Sequence, residues 1–266
     1  LVVLTGHDTV WNSNGTGLTL TSDSGTVILA NPGTDLVIVK SNNSVFDTVM
    51  VESPRARIYG GGSSVLLSVD AGVSLEFEPT TTWSFDSLIV NGSCTTPVSL
   101  SSFIGESGTA TLNKTGYDTL NISNVIIQNL IADSIGGREY NAASSYGIGV
   151  TTGWIFSGTA PGQTYYWTGA VDKNWHIAGN WTQSDIIPFI ASACVPGPAD
   201  TVIFDDVHFA ATLNDTVEIH RNAICRVMDW SGIVLRTPSL LSEANLQVSD
   251  DIILDQNLEL GYCGGF

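Results

Sequence analysis

From residue 18 to about residue 131 the chain is a procession of short segments, one every 9 to 12 residues, in which apolar and polar side chains alternate. "TVILANPG", "LVIVKSNN", "ARIYGGG", "VLLSVDAG", "SLEFEPT", "SLIVNG", "ATLNKTG" and "VIIQNL" are representative. A period of two sends successive side chains to opposite faces, so each segment reads as a half-buried strand. Gly, Asn, Asp and Pro supply the turns between them. No stretch carries the 3.6-residue period of a helix, and the fold class is all-β. Uniform short strands at this spacing fit a sandwich, a barrel or a solenoid. The turns are not Asn-Gly hairpins, so consecutive strands need not pair with each other. Small loops such as "YGGGSS" and "SVDAG" recur where a coil would turn a corner. The reading taken forward is β-helix (β-solenoid) segments, with tandem β-sandwich domains as the alternative. Coils of that kind stack at about 4.8 Å and cover each other's apolar faces, so the strand series would build a rod of roughly 20 to 30 Å.

The rhythm breaks in "REYNAASSYGIGVTTGWIF", which ends on Trp154 and Phe156, and "SGTAPGQT" follows with the composition of a linker. Next comes "YYWTGAVDKNWHIAGNW", which places three tryptophans in seventeen residues of a chain that has seven. Strands then resume. The expected organisation is one β unit over 1–156, a linker over 157–164 and a second unit over 165–266. Both ends of the sequence are strand-like, which suggests a window within a longer polypeptide. A β-helix exposes an apolar cross-section and unpaired edge groups at its ends. Trp154, Phe156, Tyr166, Trp167, Trp175 and Trp181 are large, flat and partly polar, suited to capping such ends. The competing reading makes them a platform on which sugar rings stack.

With 26 acidic residues against 9 basic ones the net charge is −17. That balance repels phosphate backbones and anionic lipid, so no nucleic-acid partner is expected. No apolar run approaches the length that spans a bilayer, so no membrane insertion is expected. The four cysteines lack C-x-x-C spacing, and an even count in a Ser/Thr-rich acidic chain suggests an oxidising compartment. Cys194 and Cys225 flank a strand pair and are the expected disulfide, two buried thiols being the alternative. Cys94 and Cys263 are expected to pair elsewhere or stay reduced. Zinc-ligand spacings and a nucleophile elbow are missing, the acids lie singly in turns and the bases do not gather. No catalytic residue, no enzyme activity and no cofactor is therefore expected, apart from structural calcium. Asp200, Asp205 and Asp206 are candidates for part of its oxygen shell, although an Asp before a strand more often bonds its own backbone. Asp followed by Ser or Thr and an aliphatic residue occurs seven times, where composition predicts about two. Such a tripeptide starts strands well, since a turn residue precedes a β-favouring one.

The joint carries a more specific pattern: W-T-G, N-W, A-G-N-W-T and V-P-G-x-A-D-T-V-x-F, with Cys194 before V-P-G and Cys225 ahead of M-D-W. Together with G-W-I-F at 153–156, it resembles the motif that opens and closes β-helical repeats in giant surface adhesins of Bacteroidetes exported by type IX secretion. The likeness covers the joint and the second half well and residues 85–156 fairly well, while 1–84 match only in style. It implies that 1–156 is the C-terminal part of one repeat and 165–266 the start of the next, with a Trp-rich cap. The implied function is structural, in an extracellular cell-surface filament for attachment, gliding or cell capture. Its implied partners are adjacent repeats of the same polypeptide, neighbouring filaments by lateral association, and surface or cell-envelope glycans. The resemblance also makes the Asp-Ser/Thr tripeptides candidates for O-glycosylation, at Thr9, Thr48, Ser87, Thr119, Ser134, Thr201 and Thr216. A carbohydrate-binding module and a β-helical polysaccharide lyase are the second and third readings.

Overall fold

The computed structural model describes residues 1–6, 8–12, 25–33, 35–133, 138–209 and 215–261. It is a β-solenoid of about 11 turns, with 51% of residues in strands and 3% helical. The chain divides into two compact units, Leu1–Ser93 with Pro97–Thr159, and Ala160–Phe266 with Cys94–Thr96.

In unit 1, strands adjacent in sequence lie in different sheets, and those sharing a sheet come from successive turns. One face stacks seven strands: Val2–Leu4, Thr26–Leu29, Ser44–Val51, Gly62–Val69, Thr82–Val90, Ala110–Lys114 and Leu130–Asp133. A second face stacks Asp8–Asn12, Val37–Lys40, Arg55–Tyr59, Ser74–Phe77, Val98–Ser102, Val125–Gln128 and Tyr146–Ile148. A third, shorter face holds Leu120–Ser123, Tyr140–Ala143 and Trp154–Ser157. Every described ladder of this unit is parallel, as successive coils require and a hairpin-built sandwich forbids.

The alternating pattern becomes columns. Val37, Ala56, Leu75, Leu100 and Ile127 stand opposite one another on five consecutive turns, each 0% exposed. Burying an aliphatic side chain this fully is worth about 1.5–3 kcal/mol, so the stack is stabilised chiefly by turn covering turn. The corners depend on residues that tolerate left-handed backbone. Asn124 (φ 55°) and Asn129 (φ 48°) each turn the chain alone, separating Leu120–Ser123, Val125–Gln128 and Leu130–Asp133 onto three faces.

Small serines such as Ser64 also face inward, but one inward position holds a charge. Lys114 follows the column of Phe85 and is 1% exposed. Its ammonium donates to the Asp86 carbonyl and, at 2.9 Å, to the Asp118 carboxylate, while its N–H donates to the Tyr140 hydroxyl at 2.5 Å. A buried charge needs this degree of pairing to be tolerated.

Unit 2 repeats the scheme. One face runs Trp181–Thr182, Thr164–Trp167, Thr201–Asp205, Val227–Gly232 and Ile252–Ile253. The others hold Thr216–Ile219, Ser239–Ser242 and Glu259–Gly261, and Ala223–Cys225 with Leu246–Val248. Its ladders are parallel except at Trp181–Thr182, which runs antiparallel to Thr164–Trp167. No helix among the described residues is long and apolar enough to cross a membrane.

Candidate functional site

The aromatic residues singled out in the sequence sort into two separate cores. Trp154 and Phe156 belong to the last described turn of unit 1. The Trp154 indole meets the Tyr140 ring edge-on at 5.3 Å and donates to the Leu130 carbonyl at 3.0 Å. Gly153 precedes it at φ +88°, where a Cβ would stand 2.1 Å from the Ala132 carbonyl oxygen, so the glycine of G-W-I-F is a backbone requirement. The Phe156 ring lies where a side chain on Gly147 would project.

Trp167, Trp175 and Trp181 are buried in unit 2 at 0, 1 and 0% exposure. Trp181 is the hub, with ring centroids 5.0 Å from Trp167, 4.7 Å from Trp175 and 6.0 Å from Phe204. Its indole N–H donates to the Trp175 carbonyl at 2.7 Å. Trp181–Thr182 pairs with the edge of Thr164–Trp167, and Lys173–Trp175 pairs with Thr216–Ile219 through Glu218 N–H to Lys173 O and Trp175 N–H to Glu218 O. On two faces, then, the aromatic segment occupies the edge where a preceding turn would lie. Tyr166 faces the other way and stacks on His208 at 4.2 Å; burial raises its phenol pKa. A sugar platform needs an open indole face, and Trp154, Trp167, Trp175 and Trp181 offer none.

The residue that organises this segment is Asn180, which the sequence reading missed. It is 0% exposed. Its Oδ1 accepts from the N–H groups of Val171 and Asp172 at 2.8 and 3.0 Å, and its Nδ2 donates to Asp172 Oδ1 at 2.6 Å and to the Asn174 carbonyl at 2.8 Å. One amide thus satisfies the loop that carries Trp175. The only hint in the sequence is a polar residue wedged between Gly179 and Trp181.

The disulfide differs from the expected pair. Cys94 bonds to Cys194, and Cys225 is a free, buried thiol. Cys225 lies at the end of strand Ala223–Cys225 with its side chain in the unit 2 core; burial, then the nearby Asp200 charge, pushes its thiol up to about 12. Segment Cys94–Thr96 instead comes to Cys194, with Val195 N–H donating to the Cys94 carbonyl at 3.1 Å. Flanking a strand pair in sequence did not bring Cys225 to Cys194, because an inward-facing strand residue points away from the loop before the first turn. Cys263 lies outside the described residues.

The three candidate calcium carboxylates do not converge, and no cluster of three or more metal-ligating residues occurs among the described residues. Asp200 takes the backbone-turn alternative, accepting from Gln163 N–H at 2.8 Å and Gly197 N–H at 2.7 Å. Asp205 holds the His208 ring at 2.8 Å. Asp206 Oδ2 accepts from the N–H groups of Val234 and Leu235 at 2.8 Å each. Each carboxylate is engaged by its own neighbourhood. His176 is likewise structural: Nε2 lies 2.9 Å from the Arg221 carbonyl, and burial, reinforced by Arg221, holds its pKa well below 6.5.

The Asp-Ser/Thr tripeptides sit where strands begin or bend. Thr119 precedes Leu120–Ser123, while Thr201 and Thr216 open their strands. Thr48 and Ser87 lie mid-strand, where the inward alternation shifts by one residue between Phe46 and Val49 and between Phe85 and Leu88. Thr9 and Thr119 are exposed, whereas Thr48, Ser87, Thr201 and Thr216 are half-buried; Ser134 lies outside the described residues. A polar surface groove of about 430 Å³ lies on the second face of unit 1, lined by Thr9, Ile38, Lys40, Asn42, Tyr59 and Glu78 among others.

Comparison with known proteins brings no assignment: no family model, no curated protein and no solved structure matches this chain.

Proposed function

We propose that the chain is a structural repeat segment of a large extracellular adhesin or filament, with a mechanical rather than a catalytic role in attachment, gliding or cell capture. The observation that carries the reading is the Cys94–Cys194 disulfide. The Cys94–Cys194 bond spans 100 residues of sequence, so a pull on the chain ends passes through the two sulfurs and bypasses residues 95–193. The closing turns of unit 1, the 157–164 stretch and the tryptophan segment are all relieved of load. Closing a loop of this length also stabilises by about 4–5 kcal/mol in the chain-entropy model. Parallel ladders and covered aliphatic columns supply the resistance elsewhere, and the aromatic segment serves as the cap of unit 2. The disulfide is of the kind that persists in oxidising compartments, which agrees with an extracellular setting.

Adjacent repeats are the first partners in this reading, with lateral self-association and surface glycans as further ones. Thr9 and Thr119, both exposed, are the most accessible candidates for attached sugars, and intact mass of native material equal to the bare chain would remove them. The role itself is tested by pulling single chains from their termini: discrete unfolding steps are expected, and smooth extension without steps would contradict a mechanical role. A carbohydrate-binding reading rests on the Tyr59 groove, where an aromatic ring, a cation and a carboxylate meet. Glycan binding abolished by Tyr59→Ala in a folded protein would favour it.

A further inference from the structure

Loop 168–180 of the tryptophan segment is closed on itself. Thr168 donates its N–H and its hydroxyl to the Asn180 carbonyl, at 2.8 and 3.0 Å, and the Asn180 amide binds Val171, Asp172 and Asn174 from within. Its fastenings to the rest of unit 2 are separate. Glu218 N–H donates to the Lys173 carbonyl at 2.7 Å, and Trp175 N–H to the Glu218 carbonyl at 2.9 Å. The Trp175 ring packs on Trp181 and Phe204, and its carbonyl accepts from the Trp181 indole. The Lys173 and Glu218 side chains, 3.7 Å apart and partly exposed, add little. A further fastening is His176, whose Nε2 lies 2.9 Å from the Arg221 carbonyl.

The His176 ring is buried. A carbonyl can only accept, so Nε2 carries the proton of the neutral ring and Nδ1 is where a second proton goes. Burial opposes that second charge first and the Arg221 guanidinium next, with His220 a smaller opponent. Together they hold the pKa well below 6.5, although the Arg221 carbonyl favours the charged ring. The carboxylates of this region are engaged with other partners. Glu218 and Glu243 hold His220, at 3.3 and 2.6 Å, and Glu218 also faces Lys173. Asp172 accepts from the Asn174 N–H and the Asn180 amide.

We infer that His176 is an acid-operated catch: a second proton on its ring shifts loop 168–180 from seated to released, while the strands it covers stay formed. Release unpairs the N–H and carbonyl of Glu218 on the edge of Thr216–Ile219. It also uncovers the Trp175 indole, 1% exposed when the loop is seated. A strand edge and an aromatic ring thus become available together as the pH falls. The inference stands on the fastenings of the loop and not on the adhesin reading, so either can fail without the other.

The test is hydrogen exchange across a pH series and at low urea concentrations, with protection taken relative to the free-amide rate at each pH. The Trp175 and Glu218 amides report the loop, while the Arg226 and Ser239 amides, bonded to the Asp200 and Asp215 carbonyls, report the strands. In the parent chain, protection of Trp175 and Glu218 should fall about tenfold for each pH unit below 6.5, until the depressed value is reached. Their exchange should be insensitive to urea, as a local opening is, and that of Arg226 and Ser239 should rise with it. His176→Gln, whose amide donates to the same carbonyl without titrating, should show no fall. Arg221→Met removes the facing charge and keeps the carbonyl, so the fall should end at a higher pH. Circular dichroism matching the parent verifies folding, and the parent chain alone decides should a variant not fold. Protection of the loop amides that is flat with pH, a urea dependence equal to that of the strand amides, or an undiminished fall in folded His176→Gln would overturn the inference.

Discussion

At the scale of single residues, this β-solenoid relies on a few polar side chains held in places that favour apolar ones. His176 is the clearest. Its folded-state pKa lies well below 6.5 because burial disfavours the imidazolium. The unfolded chain therefore takes up the proton first, and stability falls as pH drops below about 6.5, down to the depressed folded value. Urea unfolding between pH 7 and 5 should show this loss, and His176→Gln should flatten that part of the profile. Lys114 behaves differently, since its ammonium is buried while Asp118 is exposed. Lys114→Ala leaves a cavity and is expected to cost about 2–5 kcal/mol. Asp118→Asn should cost far less than that, as the loss of an exposed partner does. Chemical denaturation of the two variants checks the asymmetry; equal losses would mean that Asp118, rather than packing and the Asp86 carbonyl, holds the lysine.

At the scale of elements, the tryptophan segment is organised by Asn180 and closed by Trp181. Asn180→Ala unpairs the buried amide's partners, the N–H groups of Val171 and Asp172 among them, and should cost about 2–5 kcal/mol, given about 1–3 for each buried group left unsatisfied. Calorimetry should place the loss in unit 2 and leave the transition of unit 1 in position; a shift of both by the same amount would contradict separate cores. The strands and their inward faces were legible because period-two alternation is local, and "LVIV", "ARIY" and "SLEF" each show it without a neighbour. The single-asparagine corners in "NISNVIIQNLIAD" were half legible: Asn marks a turn, but only the backbone shows that one residue suffices. The disulfide was not legible. Cys94 reaches Cys194 across an interval that no local pattern encodes, whereas Cys225 was the closer neighbour in sequence. The candidate carboxylates make a related point. Asp205 and Asp206 are adjacent along the chain, yet one faces His208 and the other the amides of Val234 and Leu235.

At the scale of the whole molecule, the Cys94–Cys194 bond offers tension along the chain a covalent route past the residues between the two cysteines. Replacing Cys225 removes a thiol from a core; replacing Cys94 or Cys194 reroutes tension through residues 95–193. Force spectroscopy of the chain held by its ends, with and without reductant, tests this claim most directly. Reduction should lengthen the fully extended chain by roughly 330 to 360 Å, the reach of the sequence separation of 100 at 3.3–3.6 Å per residue. Cys94→Ser should show the full length without reductant, and Cys225→Ser should behave like the parent. An unchanged length on reduction, or a gain of only about 100 Å, as a bond between Cys194 and Cys225 would release, would contradict the account.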